Sequence, residues 1–240
     1  YYQYRKLLKI SDAINSSKQR PFYIIGGSCP SPEPEYFIKK TQADVVVIGE
    51  GELTVIELID AVANHKSLSH VKGIAYWEGD NVVENEERPL IQDIDTLPFP
   101  AYRLFPISYY RLMRMPDVTK TDFVLPILSG RGCTFKCTFC YRMDQGFRQR
   151  SNESIIEEIS LLKKDYGITY VPFSDELLMS SKERMINLCE AFLKANLNIR
   201  WTCNGRLNYA KPDVLKLMKR AGCVFINYGI EAMDDLVLKN

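Results

Sequence analysis

The sequence has no long hydrophobic run, which excludes the usual membrane-spanning helix. Its apolar stretches, such as residues 45–48, are far shorter than the roughly 20 residues that such a helix needs. No signal-peptide pattern opens the chain either. With 46% hydrophobic and 25% charged residues, the composition is that of an ordinary globular protein, so we expect no membrane span.

An excess of charge of one sign is also missing. The chain has 31 Lys and Arg against 30 Asp and Glu, a formal net charge of +1 at pH 7. No overall basic field therefore attracts nucleic acid or an anionic membrane, and we expect no nucleic-acid partner. The chain starts at Tyr1 without an initiator methionine, so we treat its 240 residues as a segment of a longer protein.

Histidine is scarce, and cysteine is unevenly distributed. The only histidines are His65 and His70, whereas three of the seven cysteines, Cys133, Cys137 and Cys140, lie within eight residues. A secreted disulfide scaffold would spread and pair its cysteines. The pattern predicts a reducing, cytoplasmic location in which the three clustered thiols bind metal.

Residues 1–65 alternate between strand, turn and helix patterns. An apolar run at residues 22–25 ends at Gly26 and Gly27, and the run at residues 44–48 is typical of a parallel strand buried on both faces. Gly49 and the residues after it lead into a helical pattern. This alternation predicts an open α/β sheet.

Residues 66–120 are predicted to form a connector. Short runs at residues 72–77 and 82–84 flank a Gly-Asp-Asn turn, which indicates a β-hairpin. Pro98, Pro100 and Pro106 then exclude regular structure over the stretch that follows.

Residues 121–240 show the clearest alternation of strands and helices. Strands are predicted at 123–129, 168–173, 199–203 and 224–230, with amphipathic helices after the first three. Such βα units with short connections predict the first half of a (β/α) barrel.

The three clustered cysteines carry the most chemical information. They follow the first predicted barrel strand at spacings of four and three residues, so they can wrap one face of an iron–sulfur or zinc centre. A structural zinc site needs four ligands, and the next thiol along the chain is Cys189. Three ligands on a four-iron cluster would leave one iron open for a substrate. Zinc completed by a segment outside this sequence remains an alternative.

The run Cys133-x3-Cys137-x-Phe139-Cys140, preceded by Arg131 and Gly132, resembles the signature of the radical S-adenosylmethionine (SAM) superfamily. The resemblance implies that the three cysteines hold a [4Fe–4S] cluster whose open iron binds SAM. Electron transfer, from a donor such as flavodoxin or ferredoxin, would cleave SAM to methionine and a 5′-deoxyadenosyl radical that attacks a small-molecule substrate.

The same resemblance assigns SAM contacts to three other residues, and the strand pattern adds Arg206 as a fourth candidate. Phe139 would lie against the adenine, Asp175 would contact the ammonium group, and Glu231 in a Gly-Ile-Glu motif would lie near the ribose. Arg206, at the end of the third strand, has the geometry to pair with a carboxylate. Asp175 and Glu231 have the alternative of capping the next helix, and Arg206 that of a solvated side chain. Ala232 departs from the serine common after the Gly-Ile-Glu acid.

The first 65 residues resemble the second half of a cobalamin-binding Rossmann-like domain. The resemblance rests on Gly26-Gly27 and Gly49-Glu50, which would lie against cobalamin at the carboxyl ends of parallel strands. Two departures are the Ser28-Cys29 that replaces the frequent Pro-His, and the absence of an Asp-x-His-x-x-Gly loop.

The fold class expected from both resemblances is α/β, with a partial Rossmann-like cobalamin-binding domain before the first half of a radical SAM barrel. The expected function is cobalamin-dependent methyl transfer to an unactivated carbon. Oxidative ring closure in the same group remains open. A methylthiotransferase is a further alternative, although residues 1–120 contain only Cys29 of the three extra cysteines that it needs. A non-enzymatic metal-binding module is the alternative of a different class.

Overall fold

The computed structural model describes residues 2–112, 118–140 and 146–238. The chain divides into two units, Tyr1–Ile91 and Gln92–Asn240. Among the described residues, no helix has both the length and the apolar character needed to cross a membrane.

The first unit is a four-stranded mixed sheet in the order β1-β2-β3-β4. Strands β1 (Ile24–Gly26) and β2 (Val45–Val47) are parallel, and β3 (Ile74–Glu78) and β4 (Asn81–Glu84) form an antiparallel hairpin that pairs with β2. The hairpin that the sequence places in the connector therefore extends this sheet. The boundaries predicted for the two domains and the connector stay predictions.

Three helices of the first unit cover both faces of its sheet. They are α1 (Tyr2–Asn15), α2 (Pro34–Thr41) and α3 (Gly51–Ala63). Helices α1 and α2 pack with Val46 on one face, and α3 packs with Val45 and Val47 on the other. The continuous Val-Val-Val run is buried on both sides, as expected for a covered parallel strand.

The second unit begins with irregular chain and the short helix α4 (Ile107–Tyr110). Its parallel sheet has the order β7-β8-β9, with β7 at Tyr170–Pro172, β8 at Arg200–Gly205 and β9 at Cys223–Tyr228. Helices α5 (Asn152–Tyr166), α6 (Lys182–Lys194) and α7 (Pro212–Arg220) connect the strands, and α8 (Asp235–Leu238) follows. The expected α/β fold class with its half-barrel is confirmed.

The first predicted barrel strand, at residues 123–129, is less regular than the sequence pattern indicates. Within it, Val124 and Ile127 make isolated parallel bridges to Tyr170 and Phe173 alongside β7. Pro172 of β7 lies between the two bridges and has no N–H to donate to the carbonyl of Leu125, which interrupts the ladder. Two strands that the sequence did not predict, β5 (Gly130–Gly132) and β6 (Phe147–Gln149), pair antiparallel after it.

Three cysteines outside the clustered motif lie in the core of the second unit. Cys189, Cys203 and Cys223 are buried near Trp201, which confirms the expectation that they are small core residues. Burial raises the pKa of the Cys189 thiol to about 12. The pKa of Cys203 is also raised, by a hydrogen bond with Cys223 and by burial.

Candidate active site

The cysteine loop, residues 133–140, starts directly after β5. A side chain at Gly130 would place its Cβ 2.7 Å from the carbonyl oxygen of Arg148, so glycine is needed where β5 meets β6. Cys133 and Cys137 are partly exposed, Cys140 is exposed, and none of the three forms a disulfide. The backbone N–H of Cys140 donates to the carbonyl of Cys137 at 3.2 Å, which closes a turn between these two residues. The pairing of β5 with β6 thus presents three accessible thiols on one short loop.

The donor chemistry of this loop fits a four-iron cluster. Within the described ranges, no three Cys, His, Asp or Glu side chains are grouped closely enough to hold one metal ion. Each cysteine ligand of a [4Fe–4S] cluster binds a different iron, so the cysteine sulfurs lie farther apart than the ligands of a single metal ion. A closed structural zinc site would instead bring four ligands together. Three thiols suffice for a cluster whose fourth iron stays open, so the donor set of the loop fits a [4Fe–4S] cluster.

Arg206 lies beside this loop, immediately after β8. Its Nη1 donates to Cys137 Sγ at 3.5 Å, and its guanidinium carbon lies 3.8 Å from the centre of the Phe135 ring. The alternative of a purely solvated side chain is therefore wrong. Its predicted contact with SAM stays a prediction.

Asp175 is buried where β7 ends, with 4% of its surface exposed. Its Oδ1 accepts hydrogen bonds from the Ser129 N–H at 2.8 Å and the Ser129 hydroxyl at 3.0 Å. Its Oδ2 is buried, with no hydrogen-bond partner among the described residues. Burial raises the pKa of the Asp175 carboxyl to about 6, although the bonds from Ser129 act in the opposite direction. The side chain thus fixes the residue that precedes β5 and the cysteine loop.

The helix-capping alternatives for the two acidic residues do not hold. Helix α6 is capped by Ser181, whose side chain accepts from the Arg184 N–H. At α8, Asp234 Oδ1 accepts from the N–H groups of Leu236 and Val237. Neither Asp175 nor Glu231 therefore caps the helix that follows it.

The other two predicted SAM contacts are open to solvent. Phe139 is 69% exposed. Glu231 is exposed and adopts a left-handed backbone, with φ of 62°. Its Oε1 folds back to within 2.5 Å of the position that a Cβ on Gly229 would occupy. Both remain predicted SAM contacts.

In the first unit, the predicted cobalamin residues lie at or just after the carboxyl ends of β1 and β2, which are side by side. Gly27 has φ of 99° and Gly49 has φ of 71°, and a Cβ on either would meet no heavy atom within 4 Å. The turns that contain Gly27 and Gly49 therefore fit a ligand that approaches the backbone closely, whereas a Cβ on Gly26, the last residue of β1, would lie 3.3 Å from Val47. Glu50 differs, because its Oε2 accepts the Ile91 N–H at 2.8 Å. The role of these four residues in cobalamin binding stays a prediction.

Two residues that the sequence did not single out belong to the site. Ser129 donates twice to Asp175, and Phe135 lies under Arg206. The position of Phe135 inside the cysteine motif is a signal that could have found it. The sequence holds no comparable signal for Ser129, because Asp175 is 46 residues away.

Substitution of Asp175 by asparagine is expected to stabilise the cofactor-free protein at pH 7.5. The folded-state pKa of about 6 lies above the ordinary value of 3.8, so the folded state binds more protons than the unfolded state between these values. The free energy of unfolding therefore falls as the pH rises through this window. Asparagine does not ionise, so it removes this loss of stability, while its side-chain oxygen can still accept the hydrogen bonds from Ser129. We therefore expect the free energy of unfolding to rise by on the order of 1–3 kcal/mol.

Denaturant unfolding under anaerobic conditions at pH 7.5 and pH 4.5 measures this gain, at least half of which should disappear at the lower pH. The exposed Asp12, on α1, gives a matched control, since its replacement by asparagine should change stability little at either pH. An equal effect of the Asp175 substitution at both pH values would contradict the predicted pKa dependence.

Comparison with known proteins places these features in a wider group. Residues 127–240 match the family model described as Radical SAM superfamily. An uncharacterized methyltransferase of Pyrococcus horikoshii is 33% identical over 99% of this chain and 50% of its own length. Anaerobic magnesium-protoporphyrin IX monomethyl ester cyclase of Cereibacter sphaeroides is 29% identical over 81% of this chain and 32% of its own length. The chain thus spans half or less of these curated relatives.

Solved structures show a similar fold. The cobalamin-dependent SAM radical enzyme OxsB, with aqua-cobalamin and SAM bound, aligns with a TM-score of 0.75 and 23% identity over 99% of this chain and 35% of its own. The radical SAM methyltransferase TsrM from Kitasatospora setae, with cobalamin and a [4Fe–4S] cluster bound, aligns with a TM-score of 0.77 and 18% identity, over 97% of this chain and 47% of its own.

Proposed function

Because the chain belongs to the radical SAM superfamily, we propose that it holds a [4Fe–4S] cluster on Cys133, Cys137 and Cys140 and works as part of a cobalamin-dependent enzyme. The observation that carries the proposal is the loop of three accessible cysteines, none of them in a disulfide, that follows β5. Loops at the carboxyl ends of parallel strands are where barrel enzymes place their active sites.

When bound, the cluster and SAM would supply a 5′-deoxyadenosyl radical, and cobalamin would supply a carrier for a methyl group. The residues of the chain bind and orient these groups. Asp175 holds Ser129 and so fixes the start of the cysteine loop, and only its Oδ2 is left to accept from the ammonium group of SAM. Phe139 and Glu231 are exposed and are proposed to contact the adenine and the ribose.

Within this group we favour methyl transfer to an unactivated carbon of a small-molecule substrate. The methyltransferase of Pyrococcus horikoshii supports this proposal, as does the 26% identical cytidylyl-2-hydroxyethylphosphonate methyltransferase of Streptomyces wedmorensis. Oxidative cyclisation is the second candidate, because three relatives named as magnesium-protoporphyrin IX monomethyl ester cyclases are 28–29% identical to this chain. An electron donor such as flavodoxin or ferredoxin is the proposed protein partner.

Anaerobic reconstitution with iron and sulfide tests the cluster proposal. The reduced protein should give an electron paramagnetic resonance signal of a [4Fe–4S] cluster, and added SAM should perturb that signal because it binds the open iron. Stoichiometric zinc, with no spectral effect of SAM, would refute the enzyme proposal. A cobalamin titration followed by absorbance spectroscopy tests the second cofactor separately.

SAM labelled with deuterium in its methyl group distinguishes methyl transfer from cyclisation. A methylated product would carry the deuterium label. A cyclised product would lose hydrogen from the substrate and carry no label.

A further inference from the structure

We propose that Arg206 is a positioning residue for the iron–sulfur cluster, acting through Cys137, and that it raises the reduction potential of the cluster. The inference rests on the proposed function, since it requires Cys137 to be a cluster ligand. It assigns to Arg206 a contact with the sulfur of Cys137, in addition to, or in place of, the predicted contact with SAM.

The guanidinium of Arg206 makes two contacts with the cysteine loop at once. Nη1 donates to Cys137 Sγ at 3.5 Å, and the guanidinium carbon lies 3.8 Å from the centre of the Phe135 ring, well within the range of a cation–π interaction. Phe135 and Cys137 are two residues apart. The arginine therefore contacts the loop through a hydrogen bond and an aromatic face together.

A second aromatic residue also contacts the Phe135 ring and helps to fix its position. Tyr209 lies 6.5 Å from Phe135 between ring centres, with the two planes tilted by 58°. Tyr209 ends the short helical turn Leu207–Tyr209, which begins right after Arg206. One turn of chain thus supplies both the cation and the second ring that hold Phe135.

The backbone beneath Arg206 is closely packed. A Cβ on Gly205 would lie 2.8 Å from Ile226 Cγ2 and 2.9 Å from Met179 Sδ. The end of β8 is therefore held by its neighbours, and Arg206 projects from a fixed point.

A cation that donates to a thiolate ligand withdraws electron density from it and stabilises the more negative, reduced form of a cluster. Arginine remains protonated at all physiological pH values, so this effect does not depend on pH near neutrality. A planar guanidinium can also stack on a ring while one N–H points to the sulfur, which a lysine ammonium does not reproduce.

Redox titration of the reconstituted protein, monitored by electron paramagnetic resonance without SAM, measures the effect. Arg206→Gln should lower the ratio of reduced to oxidised cluster about tenfold at a fixed applied potential, which corresponds to ~59 mV for a one-electron couple. Arg206→Lys should recover part of the shift, because it restores the charge but not the planar fork. Phe135→Leu should shift the ratio in the same direction as Arg206→Gln, but less, because it removes only the aromatic side of the contact.

The matched control is Arg220→Gln, which removes an equal charge from the exposed end of α7. Its cluster should titrate like that of the wild-type protein. A potential unchanged in Arg206→Gln, together with weaker SAM binding, would overturn the inference and assign Arg206 to the SAM carboxylate. A wild-type protein that assembles no cluster would refute the proposed function itself, which is a different result from an unchanged potential.

Discussion

Replacement of Cys137 by alanine is expected to abolish assembly of an intact [4Fe–4S] cluster. Cys137 is the middle thiol of the loop, and the described residues offer no nearby fourth cysteine or histidine to replace it. With two ligands left, the protein should retain a small fraction of the wild-type iron and lose the broad absorbance of the cluster near 400 nm. Iron and sulfide analysis after anaerobic reconstitution measures the loss.

Cys29→Ala is the control for this substitution. Cys29 is also a free, exposed thiol, but it belongs to the first unit, so its removal should leave the iron content unchanged. Normal iron content in the Cys137 variant would show that this residue is not a ligand. Equal iron loss in both variants would show that the loop has no special role.

Replacement of Glu158 by alanine is expected to destabilise the protein by about 3 kcal/mol, because it leaves the largely buried guanidinium of Arg150 with only a longer ion pair, to Asp95 at 4.0 Å. Glu158 is 2% exposed and forms an ion pair with Arg150, which is 12% exposed. Its Oε1 also accepts a hydrogen bond from the hydroxyl of Tyr102 at 2.7 Å. Burial and, after it, this bond raise the pKa of Tyr102. Denaturant unfolding at neutral pH measures the loss.

The exposed pair of Glu35 and Lys39 on α2 provides the comparison. Both side chains are more than half exposed, so Glu35→Ala should cost less than about 1 kcal/mol. A similar small loss in the Glu158 variant would mean that its ion pair is well solvated in solution.

The ion pair of Glu158 also supports the residues that precede β5 and the cysteine loop. Arg150 donates its backbone N–H to Ser129 and its Nη1 to the carbonyl of Leu128. These two residues immediately precede β5. Loss of Glu158 should therefore loosen the anchor of the loop as well as lower the stability.

The sequence predicted those features that depend on local pattern. The cysteine spacing, the covered Val-Val-Val strand and the helix from Pro212 to the glycine at 222 each follow from residues close together in the chain. The residues that cap the helices were predicted less exactly. Ser154 with Glu157, and Ser180 with Glu183, match the capping-box pattern and so are predicted to cap α5 and α6. In the structure Ser151 and Ser181 cap these helices instead. Several serines near a helix start satisfy the same pattern, and only the backbone geometry selects among them.

The contacts that position the site residues could not be predicted from the sequence. Arg206 and Cys137 are 69 residues apart, and Asp175 and Ser129 are 46 apart. No spacing rule joins such pairs, because they meet only when parallel strands align their carboxyl ends. The partial first strand has its cause in Pro172 of the neighbouring strand β7, which the apolar pattern of residues 123–129 does not include.

The burial of the core cysteines affects which thiols of the protein can bind iron. Iron binds the thiolate form of cysteine, so a thiol whose pKa is raised by burial is a poor ligand near neutral pH. Cys189 and Cys203 are in this position, inside the same unit as the loop. The fold thus keeps these two core thiols buried and protonated, which withholds them from incoming iron, while the loop offers three accessible cysteines.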